Sequence, residues 1–274
     1  MLYISSIVYV SYERRFVMGK VISLMNEKGG VGKSALTFSC AWELSKKGKR
    51  VLIIDLDGQT ANVTYLAGVA VNENTETMVD VFTKRISIRN IVKRVPKADS
   101  FQVLDIVPAN VNLTGISQTS KISVMKHAIR EILDDYDYIF IDVNPSPDWR
   151  HALTLSVLDF VCVVMKPDVM SLEANDGIFD SIDEVKESIN PNLKVLGFVV
   201  NCFDPRTRIG SSVVEKANEM AEYYNTCVFG TKIRNAVAFS ESAISKMGVT
   251  DYSPKSLVAE DLRQFVNELE KAVA

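Results

Sequence analysis

The feature that most restricts the fold of this chain is a series of short runs that are apolar at successive positions rather than at alternate ones. Such runs are typical of strands buried on both faces, in a parallel sheet covered by helices on both sides. The strand-like runs lie at 20–26, 50–57, 101–109, 136–143, 158–167 and 193–201, with a weaker one at 226–230. Helix-like stretches lie at 34–47, 119–134, 171–189, 211–224 and 256–272. This order predicts a doubly wound, mostly parallel α/β fold with helices on both faces of the sheet.

The length and composition of the chain are those of a globular protein. Its 274 residues are 47% hydrophobic and 24% charged, which is enough apolar material for a sizeable core. No repeat, low-complexity segment or linker divides the chain, so we expect one domain over 18–274. We expect residues 1–17 to be a non-core extension. They lack the basic region of a secretory signal, and codons for residues 13–15 could form a bacterial ribosome-binding sequence before a start at Met18.

Charge, cysteines and histidines exclude several classes of protein. The formal net charge is −3, so any contact with nucleic acid must come from a local patch. The 4 cysteines are far apart, which argues against an iron–sulfur carrier and favours buried free thiols in a reducing cytoplasm. The 2 histidines have no ligand-spaced neighbours. No run is apolar for the roughly 18 residues of a membrane span, so we expect a cytoplasmic protein without a membrane partner.

Residues 25–38, MNEKGGVGKSALTF, form a glycine-rich segment between the first predicted strand and the first predicted helix. Three glycines, Gly29, Gly30 and Gly32, allow backbone N–H groups to curl around phosphate oxygens at a helix N-terminus. Lys33 would neutralise β- and γ-phosphates, and the Ser34 hydroxyl would ligate Mg²⁺. Val31 and Ala35 complete the expected phosphate-binding set. The alternative, a glycine turn with a helix cap, is disfavoured because Gly-Lys-Ser follows a strand directly.

Acidic residues end two of the predicted strands. Asp55 and Asp57 close the run at 50–57, and Asp142 follows four largely apolar residues in the run at 136–143. Ligands of open α/β sheets bind at the carboxyl ends of strands, so these acids are expected near the glycine-rich loop. Asp142 matches the Walker B pattern and would hold Mg²⁺ through water. Asp168 and Asp204 also follow strands, and we interpret them as loop acids or helix caps.

The glycine-rich segment departs from the standard pattern GxxxxGK[ST], because Glu27 stands where the first glycine belongs. Lys28-Gly-Gly-Val-Gly-Lys-Ser instead resembles the deviant Walker A motif, KGGxGK[ST], of the ParA/MinD superfamily, which includes ParA/Soj partition ATPases, MinD and the nitrogenase iron protein. The resemblance implies an Mg²⁺-dependent ATPase in which Lys28 reaches the nucleotide of a second subunit, so that a homodimer encloses two ATP molecules. It also implies that Asp57 positions the attacking water and contacts the magnesium shell, with Asp55 as a structural partner.

The resemblance to ParA/Soj-type ATPases extends over residues 19–272. It implies that Asn201 reads adenine, that a ParB-like centromere-binding protein stimulates hydrolysis, and that the ATP-bound dimer binds DNA nonspecifically on the nucleoid during plasmid or chromosome partition. Two departures are Gly58 in place of a usual proline and Ala238 where Soj-like members often carry a DNA-contacting arginine. Compensating contacts could come from the segment 83–97, with six basic residues and no acid. The other basic candidates are Arg206, Arg208, Lys232 and Arg234.

The segment 83–97 is predicted to present its charges on one face of a helix, because Arg85, Arg89 and Lys93 recur every four residues. Other functions remain open. A MinD-like membrane positioner would need a basic C-terminal amphipathic helix, whereas this one carries Glu260, Asp261, Glu268 and Glu270. A biosynthetic ligase of the same fold and an ATP-binding scaffold without DNA binding are further alternatives.

Overall fold

A computed structural model of the chain describes residues 19–58, 63–98, 103–115, 121–146, 148–168 and 176–274. Its centre is a sheet of seven strands in the order β3-β4-β2-β5-β1-β6-β7. The strands are β1 Lys20–Met25, β2 Arg50–Asp55, β3 Lys93–Arg94, β4 Val103–Val107, β5 Tyr138–Asp142, β6 Phe160–Met165 and β7 Lys194–Val200. All neighbours pair in parallel except β3, which runs antiparallel to β4. The predicted doubly wound, mostly parallel sheet is confirmed.

Helices cover both faces of this sheet, as the strand pattern predicts. They are α1 Lys33–Lys46, α2 Val63–Leu66, α3 Met78–Lys84, α4 Lys121–Ile132, α5 Trp149–Leu155, α6 Asp176–Ser188, α7 Arg208–Tyr223, α8 Val237–Ser245, α9 Val249–Tyr252 and α10 Leu257–Ala272. Short 3-10 helices span Ile88–Ile91 and Val111–Gly115. Among the described helices, none is long and apolar enough to cross a membrane.

Two apolar cores lie on opposite faces of the sheet, and alternate residues of each strand enter one or the other. In β5, Ile139 and Ile141 belong to the core beneath α3 to α7, whereas Tyr138 and Phe140 belong to the core beneath α1 and α10. This double burial explains why the strands are apolar at successive positions. It also fixes the register, so that Asp55 at the end of β2 stands opposite Asp142 at the end of β5.

The five helices predicted from long apolar periods are present among the described residues, whereas several short elements were not predicted. Residues 119–120 and 171–175 of two of these predictions lie outside the described residues. The helix α3 begins at a capping box, in which the Thr77 side chain accepts from the backbone N–H of Val79 and the Asp80 carboxylate accepts from that of Thr77. The helix α5 begins at Asp148, whose side chain accepts from the N–H of Arg150. The run at 226–230 forms only an isolated bridge, between Val228 and Phe198.

The prediction of one helical face for the basic segment 83–97 is wrong. Arg85 has a left-handed backbone (φ 58°) and ends α3, so the helix cannot continue through it. Ser87 then caps the 3-10 helix that contains Arg89, and Lys93 lies in β3. The three side chains therefore belong to three different elements.

Candidate functional site

The loop between β1 and α1 has the backbone of a phosphate cradle. Gly30 (φ 72°) and Gly32 (φ 90°) lie in the left-handed region that favours glycine. Gly32 is the N-cap of α1, and it supplies no side-chain cap for the first N–H groups of that helix. Those donors and the positive end of the helix dipole therefore favour an anion at this point.

Asn201, directly after β7, makes a side-chain hydrogen bond to the backbone of the cradle. Its Nδ2 donates to the carbonyl oxygen of Val31 at 2.7 Å, and a Cβ on Gly32 would lie 2.3 Å from the same nitrogen. Gly32 is thus required by close approach as well as by its φ angle. The sequence does not predict this bond, and the adenine-reading role of Asn201 stays a prediction.

Lys33, the first residue of α1, turns back toward the loop and is only 6% exposed. Its Nζ donates to the carbonyl oxygen of Lys28 at 3.0 Å. Burial lowers the pKa of the Lys33 ammonium, and the carboxylates of Asp142 and Asp57 oppose that shift. An ammonium that is bonded to the loop and lies within the electrostatic influence of two acids is suited to neutralising phosphate oxygens.

Asp142 is the most isolated acid in this group. Its side chain is fully buried, and neither carboxylate oxygen has a hydrogen-bond partner in the part of the chain that the structure describes. Burial raises the pKa of Asp142 to about 7, an effect that Asp57 reinforces and that Ser34 and Lys33 oppose. A buried carboxylate without partners, close to a serine hydroxyl, fits a site for a hard cation such as Mg²⁺.

Asp55 and Asp57 have different surroundings although they are two residues apart. Asp55 Oδ1 accepts from the N–H of Asp57 at 2.8 Å, and its Oδ2 accepts from the Thr64 N–H at 3.0 Å and the Thr64 hydroxyl at 2.5 Å. Burial, followed by the nearby Asp142, raises the pKa of Asp55 well above its usual range. Asp55 therefore fixes both ends of the segment after β2, in line with the structural role expected for it. Asp57, 8% exposed, is near enough to influence the charge of both Lys33 and Asp142.

Lys28 forms an ion pair with Asp168, which follows β6. The loop is anchored beneath it, because the N–H of Lys28 donates to Asn26 Oδ1 at 2.7 Å and Asn26 Nδ2 donates to the Val164 carbonyl at 2.7 Å. The side chains of Lys28 and Asp168 are 22% and 32% exposed. The sequence placed Asp168 only as a loop acid or cap, so its contact with Lys28 is a finding of the structure.

Glu27, which replaces the first glycine of the standard motif, packs against α6. Its Oε1 accepts from the Ser181 hydroxyl at 3.2 Å, and a Cβ on Gly177 would lie 2.4 Å from its Oε2. The loop thus has room for a glutamate because the facing residue of α6 has no side chain.

Residues of α5 that the sequence analysis did not single out contact the segments after β2 and β5. Arg150 is buried. Its Nε and Nη2 donate to Asp148 Oδ2 at 3.0 and 2.5 Å, and its Nη1 donates to the Leu56 carbonyl at 3.4 Å. His151 Nε2 lies 2.6 Å from the Asn144 carbonyl. The aspartate before Trp-Arg-His is a helix-cap signal that could have located α5, but the contacts depend on the tertiary fold.

The basic residues considered for DNA contact are mostly engaged with acids or carbonyls. The guanidinium of Arg206 donates to both carboxylate oxygens of Asp204, at 2.9 and 2.8 Å. That of Arg234 donates to both carboxylate oxygens of Asp261, at 2.5 and 2.7 Å. The other pairs and contacts are Arg89 with Glu131 and Asp135, Arg94 with Asp105, and Lys232 with the carbonyls of Phe229 and Gly230. These partners reduce the positive potential that a DNA backbone would meet.

Comparisons with known proteins find relatives and structures of the same fold. The AAA domain family matches residues 19–195. The sporulation initiation inhibitor protein Soj of Bacillus subtilis is 29% identical over 92% of this chain and 98% of its own. A cobyrinic acid a,c-diamide synthase from Mycobacterium smegmatis, solved with ADP and magnesium, has a TM-score of 0.77 at 23% identity and covers 93% of this chain and 95% of its own. The septum site-determining protein MinD from Pyrococcus horikoshii, complexed with Mg-ADP, has a TM-score of 0.74 at 19% identity. The match covers 94% of this chain and 98% of that protein.

Proposed function

Because the chain belongs to the AAA domain family and to the ParA/MinD superfamily, we propose that it is an ATP-dependent switch that dimerises around two ATP molecules and partitions plasmid or chromosomal DNA. In this proposal a ParB-like partner stimulates slow hydrolysis, and the ATP-bound dimer binds DNA nonspecifically on the nucleoid. The chromosome partitioning protein ParA of Myxococcus xanthus, 29% identical over 93% of this chain and 89% of its own, supports the partition role.

The observation that carries the proposal is the buried Asp142 carboxylate, which has no partner among the described residues and lies close enough to Lys33 and Ser34 for both to influence its charge. A cation bound there would offset the cost of burying this charge. With the Gly30–Gly32 cradle, these side chains fit Mg²⁺ and a triphosphate. Ser34, Asp57 and Asp142 would hold the metal, and Lys33, Ala35 and the loop N–H groups would hold the phosphates.

Bound Mg-ATP would supply the transferable phosphoryl group and the cation that neutralises its developing charge. The chain's own residues would do the rest. Asp57 would orient the attacking water, since phosphoryl transfer needs positioning more than covalent chemistry. Lys28 would leave Asp168 and contact the nucleotide of the partner subunit. Asn201 would read adenine from the end of β7.

Electrophoretic mobility of random-sequence DNA tests the partition role. The proposal predicts a shift with Mg-ATP and none with ADP, and an affinity that falls steeply between low and physiological salt. Arg85→Glu should weaken binding, whereas Glu187→Lys, at an exposed acid of α6, should not weaken it. Absence of a shift in a preparation that does bind ATP and dimerise would overturn the DNA role alone.

A second candidate is a switch of the same kind that positions another cellular complex without binding DNA. It is favoured by the ion pairs of Arg89, Arg94, Arg206 and Arg234, which leave these side chains partly neutralised. Dimerisation with ATP and no mobility shift at low salt would be the outcome that this candidate predicts.

A further inference from the structure

A cavity of about 320 Å³ opens between α5 and α6, outside the phosphate loop. Its polar lining comes from Asp148, His151, Ser181 and Glu184, and its largest ring is that of Trp149. The volume is at the lower end of the range for ligand pockets, which is enough for one small organic group. The lining therefore provides two acids, an imidazole, a hydroxyl and an aromatic ring.

His151 gives the cavity a hydrogen-bond acceptor. The ring is 2% exposed, and its Nε2 lies 2.6 Å from the Asn144 carbonyl, which can only accept. Nε2 therefore carries the proton. Burial lowers the pKa of His151, which favours the neutral ring. The remaining nitrogen, Nδ1, then has a free lone pair, and it is buried without a hydrogen-bond partner in the described part of the chain.

Glu184 gives the cavity its negative charge. Its exposed carboxylate makes no ion pair or hydrogen bond with any described residue, whereas the other acid, Asp148, is occupied by Arg150. Three further acids on α6 flank Glu184 in sequence: Asp180, Asp183 and Glu187. No lysine or arginine lines the cavity among the described residues, and Lys126, outside the lining, donates to the carbonyl of Ile189 at 3.4 Å. The local field therefore disfavours an anionic ligand.

We propose that this cavity binds a guanidinium or alkylammonium group. Such a cation would donate to His151 Nδ1, pair with the Glu184 carboxylate and lie against the ring of Trp149, which attracts cations through its face. The same chemistry is carried by free small amines and by an arginine or lysine side chain of a partner protein. An anion would meet the Glu184 carboxylate and the lone pair of His151 Nδ1, which both disfavour it.

The cavity is connected to the acids of the nucleotide site through α5. His151 contacts the carbonyl of Asn144, two residues after Asp142, and Arg150 contacts that of Leu56, next to Asp57. A ligand that shifts α5 would thus move both segments. This regulatory consequence rests on the proposed ATPase function, whereas binding of the cation does not.

Nitrogen NMR of the nucleotide-free protein tests the site, since the chain has only 2 histidines and the exposed His127 on α4 serves as internal control. The probes are N-acetyl-arginine amide and its neutral isostere, N-acetyl-citrulline amide. We expect the arginine probe to shift the His151 Nδ1 resonance saturably and to leave His127 unchanged. No saturable shift, or an equal shift with citrulline, would overturn the proposal.

Calorimetry with matched variants tests the role of Glu184. Glu184→Gln should weaken the arginine probe about tenfold, and Glu187→Gln, the same charge change on the same helix outside the cavity, should change it little. Equal losses of affinity in the two variants would show a general electrostatic effect and overturn the proposed site.

Agmatine and an arginine-containing peptide distinguish the two sources of the cation. Tighter binding of the peptide supports a side chain of a partner protein, and tighter binding of agmatine supports a free amine. Either result is obtained without ATP, so it does not depend on the nucleotide site.

Discussion

At the scale of single residues, the acids of the site differ in what surrounds them rather than in chemistry. Asp55 accepts three hydrogen bonds, and its role is to hold the segment after β2 in place. Asp142, directly opposite on β5, has none from the described residues and is fully buried. Burial raises the pKa of both carboxyls. Three hydrogen bonds offset part of that cost at Asp55, whereas a bound cation would offset it at Asp142.

Replacing Asp142 by Asn is therefore expected to stabilise the protein without nucleotide. The folded-state pKa of about 7 is above the ordinary 3.8. The folded protein thus holds the extra proton between these values, and the contribution of this carboxyl to stability is lost as the pH rises through them. Thermal unfolding with EDTA should give a higher Tm for Asp142→Asn than for wild type, by more at pH 8 than at pH 5.

Asp55→Asn is the matched control for that experiment. The pKa of Asp55 is also raised, so this variant likewise removes a cost of burial. It is expected to raise the Tm at pH 8 by less than Asp142→Asn does, because an amide cannot accept all three hydrogen bonds. A destabilised Asp142→Asn protein at pH 8 would show that the buried carboxylate has partners that offset its burial.

The ion pair between Lys28 and Asp168 gives a second prediction at this scale. A partly exposed pair contributes about 0–1 kcal/mol, so Asp168→Asn should leave the fold intact and free Lys28 for a second subunit. The protein concentration at half-maximal ATP-dependent dimerisation should fall up to about fivefold, as measured by light scattering. Asp204→Asn, which removes another loop acid after a strand, should have no such effect. Equal behaviour of the two variants would contradict a restraint by Asp168.

At the scale of elements, the spacing of apolar residues predicted the long helices and the buried strands but not the short helices. The helix α1 spans Lys33–Lys46 where 34–47 was predicted, because its apolar residues repeat over several turns. The short helix α3 has no such repeat, and it is defined by its cap and by packing of Phe82 beneath it. The left-handed Arg85 ends it, and for this reason a regular charge spacing did not produce one helical face.

The capping box of α3 can be tested by mutation. Thr77→Ala removes the acceptor for the Val79 N–H and should cost about 1 kcal/mol of unfolding free energy in urea. Thr83→Ala, at an exposed position of the same helix, should cost less. A Thr77→Ala protein as stable as wild type would show that packing alone defines the start of α3.

At the scale of the whole molecule, the sequence was sufficient for the layered fold and for the position of the phosphate loop. A strand, three glycines and a helix are local in sequence, so they could be predicted together. The contacts of Lys28 with Asp168 and of Asn201 with Val31 could not, because they depend on the order β1-β6-β7 at one edge of the sheet. The cavity between α5 and α6 likewise joins segments that are distant along the chain.

Dimerisation around ATP is tested by the mass of the protein in solution with saturating Mg-ATP, measured by light scattering after size exclusion. We predict a dimer with Mg-ATP and a single chain without nucleotide. We also predict a single chain for Lys28→Ala, although that variant still binds ATP, and no bound ATP for Lys33→Ala. A wild-type protein that remains a single chain while saturated, or a Lys28→Ala protein that dimerises as wild type does, would rule out a nucleotide site shared between two subunits.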